Sequence, residues 1–231
     1  MTAVVVEFKG KRNRRRIFVE KKGNIAVVSV GERVGALRLK RLLSQFGNDF
    51  IFAKRIKKRG LCGFDDTGYR NELIFNLFLQ YCKGAPRSIS VGVLDVRGEY
   101  YCRLIPVIAA VSSVVIYTEC EVDDFCRLSL TETGTCPFST NSKAELYECD
   151  VVFSLDGLTG FGKTLFGKGG ITTLSERIEF PFFVDDILQK GIDEISFAAL
   201  LSHDYPVLSP EKVAAQNDKY CQQDFLNSCL L

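Results

Sequence analysis

The apolar and polar positions change rhythm along the chain, and the change marks its organisation. Residues 4–8 are apolar and β-branched, residues 16–20 alternate, and residues 25–30 are apolar again after a KKGN turn, which predicts antiparallel strands. Between the first two strands, KGKRNRRR is too charged to be buried and predicts an exposed loop or hairpin tip. From Ile25 the rhythm becomes strand, turn, helix. Val34, Leu37, Leu39, Leu42, Leu43 and Phe46 form a stripe near the helical period and predict a helix over 32–46, ended by Gly47 and Asn48. A short strand at 50–53 and a helix over 69–82 follow, the latter with Leu73, Leu77 and Tyr81 on one face.

The next segment repeats this rhythm: strand 89–94, helix 99–110, strand 114–118, an acidic helical stretch over 121–130, a short helix at 143–148 and strand 150–155. Strands that are apolar throughout, alternating with helices, imply a parallel sheet covered on both faces. The predicted fold is therefore three-layer α/β with a mainly parallel sheet, preceded by a small β-rich basic segment. Pro86 sets a division into a basic region, 1–84, and an α/β domain with C-terminal helices, 85–231. In the last third, 180–184 predicts an edge strand beside Pro181. Helices are predicted at 194–202 and from Ser209–Pro210 to near Asn227.

Charge adds an asymmetry that the net value of +2 hides. Residues 1–60 hold 17 Lys and Arg against 4 Asp and Glu, and the remainder holds 13 against 24. The clusters Lys9, Lys11, Arg12, Arg14, Arg15, Arg16 and Lys54, Arg55, Lys57, Lys58, Arg59 are dense enough to attract phosphates. Aromatic interleaving is thin. Docking on the acidic remainder, within one chain or in a homo-oligomer, is favoured over nucleic-acid binding, which stays as an alternative. No run of 18 apolar residues is present and the start is the reverse of a secretory signal, so the expectation is a cytoplasmic protein without a membrane span. The nine cysteines never fall at two-residue spacing and histidine occurs once, at His203. Reduced thiols and no metal site are therefore expected. No nucleophile lies beside a base by spacing, so no catalytic residue is assigned.

The stretch SISVGVLDVRGEYYCRL, from Ser88 to Leu104, reads as a strand, a tight turn and a helix, followed by a second strand and Glu119. It resembles the first βαβ unit of the Rossmann-like NAD(P)-binding proteins. With Gly98 aligned to the third glycine of G-x-G-x-x-G, Glu119 follows by 21 positions, where that superfamily places its ribose-binding acid. Val93 and Asp95 stand at the first two glycine positions. The resemblance implies a nucleotide or small-molecule ligand, NAD(P) among the candidates, near Asp95, Arg97, Gly98 and Glu119. The opposing reading has Gly98 packing helix on sheet and Glu119 as a solvated strand end.

A second motif competes. Gly157, Gly160, Gly162, Lys163 and Thr164 satisfy G-x-x-x-x-G-K-[ST] after an apolar strand, the pattern of a nucleoside-triphosphate loop with Lys163 on phosphate and Thr164 on magnesium. That loop requires a helix opening at Gly162–Thr164, whereas Gly167, Gly169 and Gly170 oppose one. A mobile rim loop, or one gripping a ligand without hydrolysis, are the alternatives.

Overall fold

The computed structural model describes residues 3–9, 16–22, 25–52, 63–154, 164–167, 180 and 193–217. In chain order the elements are β1 (Ala3–Lys9), β2 (Ile17–Lys22), β3 (Ile25–Gly31), α1 (Ala36–Leu43), β4 (Phe50–Phe52), α2 (Thr67–Gly84), β5 (Ser90–Leu94) and α3 (Ile105–Ile108). There follow β6 (Ser113–Tyr117), α4 (Asp123–Thr133), β7 (Phe138–Thr140), α5 (Lys143–Tyr147), β8 (Val151–Ser154), β9 (Thr164–Gly167), α6 (Glu194–Leu201) and α7 (Pro210–Gln216). The chain divides into two compact units, Met1–Arg70 with Phe180–Lys212, and Asn71–Glu179 with Val213–Leu231. The sequence signal at Pro86 coincides with the end of α2.

The first unit holds a four-stranded sheet of order β2-β3-β1-β4. Here the expectation of antiparallel strands is corrected. β2 runs antiparallel to β3, but β1 pairs parallel with both β3 and β4. The reason lies in burial. Val4, Val5 and Val6 are all buried, which places β1 in the interior of a sheet covered on both faces. Val4 and Val6 pack with Val34, Leu39 and Leu43 on the α1 side, while Ala3 and Val5 pack with Phe197, Leu200 and Leu201 of α6. Glu7, next along the α6 face, is buried; it accepts a hydrogen bond from Ser29, its register partner on β3, and pairs with Lys9 at 3.4 Å. Arg70 draws the starts of α2 and α6 together. Its guanidinium donates to Asp66 at 2.8 Å and to Asp193, and Ser196 Oγ donates to Asp66 at 2.7 Å.

The second unit holds a five-stranded sheet of order β7-β6-β5-β8-β9, and every pair in it is parallel. Counted along the chain this is third, second, first, fourth, fifth, the order of doubly wound α/β sheets. Val93 and Phe153 are register partners; Phe153 lies in an aromatic cluster with Phe75 and Phe78 of α2 and with Tyr100. On the opposite face Leu94 and Val152 pack on Leu146 of α5. The parallel α/β architecture expected from the apolar strands is present in the second unit, while the sheet of the first unit is mixed.

The expected helix over 99–110 is replaced by a single 3₁₀ turn, Tyr101–Arg103, and the four-residue α3. Pro106 explains this, because a proline ring inside a helix clashes with the carbonyl four residues earlier, here Cys102, and is tolerated only in the first turn. β7 and β9 were not predicted. The predicted strand after Phe180 and the helix beyond Asn217 lie outside the described residues. Among those described, no helix is long and apolar enough to cross a membrane.

Candidate functional site

In open parallel sheets the strand order reverses at one place, and the carboxyl ends of the strands there frame a crevice. In this protein the reversal falls between β5 and β8, with β6 on the other side of β5. Asp95 is the residue after β5. Its N–H donates to Tyr117 O at 2.9 Å, which continues the pairing with β6 by one residue, and Gly98 N–H closes a turn on Asp95 O at 3.1 Å. Aspartate at the first position and glycine at the fourth suit such a turn.

The side chain of Asp95 carries the arrangement. Only 4% exposed, its carboxylate accepts from the N–H groups of Glu99, Tyr100 and Tyr101, each at 2.8 Å. Successive backbone N–H groups after the first strand are the donors that a Rossmann turn offers to a pyrophosphate. These three are already taken by the chain's own anion. Asp95 therefore organises the turn from within, a role that its position after an apolar strand and before V-R-G could have signalled.

Gly98 serves the same turn. Its φ is +70°, and a Cβ there would lie 2.9 Å from both Cys120 Sγ and Tyr101 Cε1. Gly98→Ala is expected to lower stability by about 2 kcal/mol, from left-handed strain and crowding together, read as a fall in the urea midpoint at unchanged slope. The loop after β6 closes over this turn: Glu119 N–H donates to Val96 O at 3.4 Å and Cys120 N–H to Thr118 Oγ1 at 3.1 Å. Glu119 itself is exposed, two residues past β6, and Arg97 is exposed at the turn. Tyr101 reaches Glu121 O and stacks edge-on with Phe125; a hydrogen bond with the Cys102 thiol raises its hydroxyl above the ordinary tyrosine value. Arg103 fixes the far end of the segment, with a two-pronged contact to Glu72 at 2.8 and 2.9 Å and its guanidinium 4.2 Å from the Phe75 ring centroid. Across the reversal, β8 ends at Ser154, opposite Leu94; its buried hydroxyl has no hydrogen-bond partner among the described residues.

Asp95, Arg97, Gly98 and Glu119 thus lie on two adjoining loops. Tyr101, Cys120 and Ser154 join them without having been singled out from the sequence. The second motif is not assembled in the same way. Thr164 opens β9, parallel to β8, where a nucleoside-triphosphate loop needs the first turn of a helix. Gly157, Gly160, Gly162 and Lys163 lie outside the described residues, as do 10–15 and 53–62 with most of the two basic clusters. His203 is exposed just after α6, in the other unit. Among the described residues no group of three or more metal-ligating side chains occurs.

The fold and this edge define an α/β protein whose second unit carries a parallel sheet consistent with a Rossmann-like fold. No family profile matches the chain, and no curated protein matches it by sequence. Among solved structures it is similar to L-tryptophan dehydrogenase from Nostoc punctiforme, at 10% identity and a TM-score of 0.31, over 88% of this chain and 76% of that one.

Proposed function

We propose that the second unit binds a small nucleoside-type ligand at the carboxyl ends of β5 and β6, as a binding protein with no catalytic residue assigned. The supporting observation is Glu119, an exposed carboxylate on the loop that closes over the turn after β5, at the edge where the strand order reverses. A carboxylate at the end of the second strand can accept both hydroxyls of a ribose. Asp95 narrows the ligand class. With the Glu99–Tyr101 donors held by its carboxylate, a diphosphate would meet a like charge and find those three backbone donors occupied. A nucleoside, or a monophosphate paired with the exposed Arg97, fits this edge better than NAD or NADP.

Thermal shifts of the full chain with adenosine, AMP, ATP, NAD, NADP and S-adenosylmethionine test the reading, since a ligand binding only the folded state raises Tm. Adenosine and AMP are expected to raise Tm, with NAD no better than AMP. Glu119→Gln is expected to weaken adenosine binding about tenfold, the loss of roughly one charge-assisted hydrogen bond. A larger shift with NAD than with AMP would show that a diphosphate is gripped after all. No shift with any of the six would remove the ligand reading and favour an interaction module.

A further inference from the structure

Away from the strand ends, the return from α4 to β7 holds two cysteines side by side. α4 ends at Gly134, in the left-handed region at φ +72°, and its N–H donates to Leu130 O at 3.0 Å. The chain is then pinned back along the helix. Ser129 Oγ donates to Thr135 O at 2.8 Å, and Thr133 Oγ1 accepts from Thr135 N–H at 3.2 Å. One residue further, Cys136 Sγ lies 3.5 Å from Pro137 O; Cys126 Sγ, from the second turn of α4, lies 3.9 Å from the same oxygen. Cys136 is exposed and Cys126 half-buried, and both are free thiols.

We propose that Cys126 and Cys136 form a dithiol that hydroperoxides oxidise to a disulfide, a modification site independent of the ligand reading above. The helix cap and the Ser129–Thr135 bond bring both sulfurs to one carbonyl oxygen, that of Pro137, so closure is a local sulfur movement. The exposed partner reacts first. Burial, the Cys136 thiol and the Asp123 carboxylate push the Cys126 thiol up to about 11, and Cys136 is the exposed one of the two, so Cys136 is the one that meets the peroxide. Its sulfur attacks the O–O bond of the hydroperoxide, forming an S–O bond and releasing the alcohol, or water from hydrogen peroxide. Cys126 sulfur then attacks the sulfenic sulfur; the S–S bond forms, the S–O bond breaks, and the departing hydroxide takes the Cys126 proton as water. Two electrons pass from the two thiols to one peroxide.

The full chain, treated with one equivalent of hydrogen peroxide, blocked with N-ethylmaleimide and digested with trypsin without reductant, gives the readout. Cleavage after Arg103, Arg127 and Lys143 places Cys120 and Cys126 in one peptide, 104–127, and Cys136 in another, 128–143. The expected product is these two peptides joined by a disulfide, formed ahead of any other among the nine cysteines. Cys120→Ser is expected to keep the link. Cys126→Ser is expected to lose it and leave Cys136 as a sulfenic acid that dimedone traps. Oxidation of the exposed Cys102 or Cys120 with 128–143 left unlinked, or a link that survives Cys126→Ser, would overturn the proposal.

Discussion

Asp95→Ala is expected to destabilise the second unit by about 3–4 kcal/mol, because three backbone N–H groups lose a charged acceptor in a place closed to water. Asp95→Asn keeps one acceptor oxygen and is expected to cost about half as much. The midpoint of urea unfolding measures both. A second observation separates this account from a general effect of core damage. With the carboxylate gone, the three N–H groups form a vacant anion site, so millimolar phosphate or sulfate is expected to restore part of the stability of Asp95→Ala and to do little for the wild type. Equal anion effects on both proteins would mean that Asp95 does not stand in an anion's place.

Phe153→Ala is the second large effect. The Phe153 ring is fully buried, stacks on Phe78 at 4.7 Å between centroids, and meets Phe75 at 5.7 Å and Tyr100 at 5.8 Å. Removing it forfeits transfer energy and leaves a cavity, for an expected loss of about 4 kcal/mol. Phe153→Leu is expected to recover more than half of that loss, because most of the volume returns. Tyr100 belongs to the same ring cluster and is one of the three donors to Asp95, so the two sites share a neighbour. The double variant Asp95→Ala/Phe153→Ala is expected to lose less than the sum of the two single losses.

The parallel sheet was legible because β5, β6 and β8 are apolar runs between helical patterns, which is how strands buried on both faces read. The same signal was present in β1, where three consecutive valines argue for an interior strand. It was outweighed by the hairpin-like turn before β3, and strand adjacency is a tertiary choice that no local pattern encodes. β7 has only three residues, with Phe138 and Ser139 exposed, and offers no periodicity to read. Glycines in and around β9 spoke against a helix there, and the pairing with β8 makes Thr164–Gly167 a strand. At the candidate site, the resemblance named Asp95, Arg97, Gly98 and Glu119, which fall on the loops that follow β5 and β6. It had no means of showing that the carboxylate at the second glycine position would hold the donors that a diphosphate needs.

The first unit is built from the two flanks of the second, and this bears on the order in which the protein is made. Ala3, Val5 and Ile51 are complete on the ribosome long before Phe197, Leu200 and Leu201 cover them. At ~5–20 residues per second, synthesis of the intervening stretch occupies on the order of ten seconds. During that interval one face of the β1 neighbourhood is bare apolar surface, while the five-stranded sheet has all of its described strands and can fold. A segment made before the five-stranded sheet is thus among the last to reach its final packing. A nascent chain stalled before α6 emerges therefore offers a chaperone the very surface that the finished protein conceals.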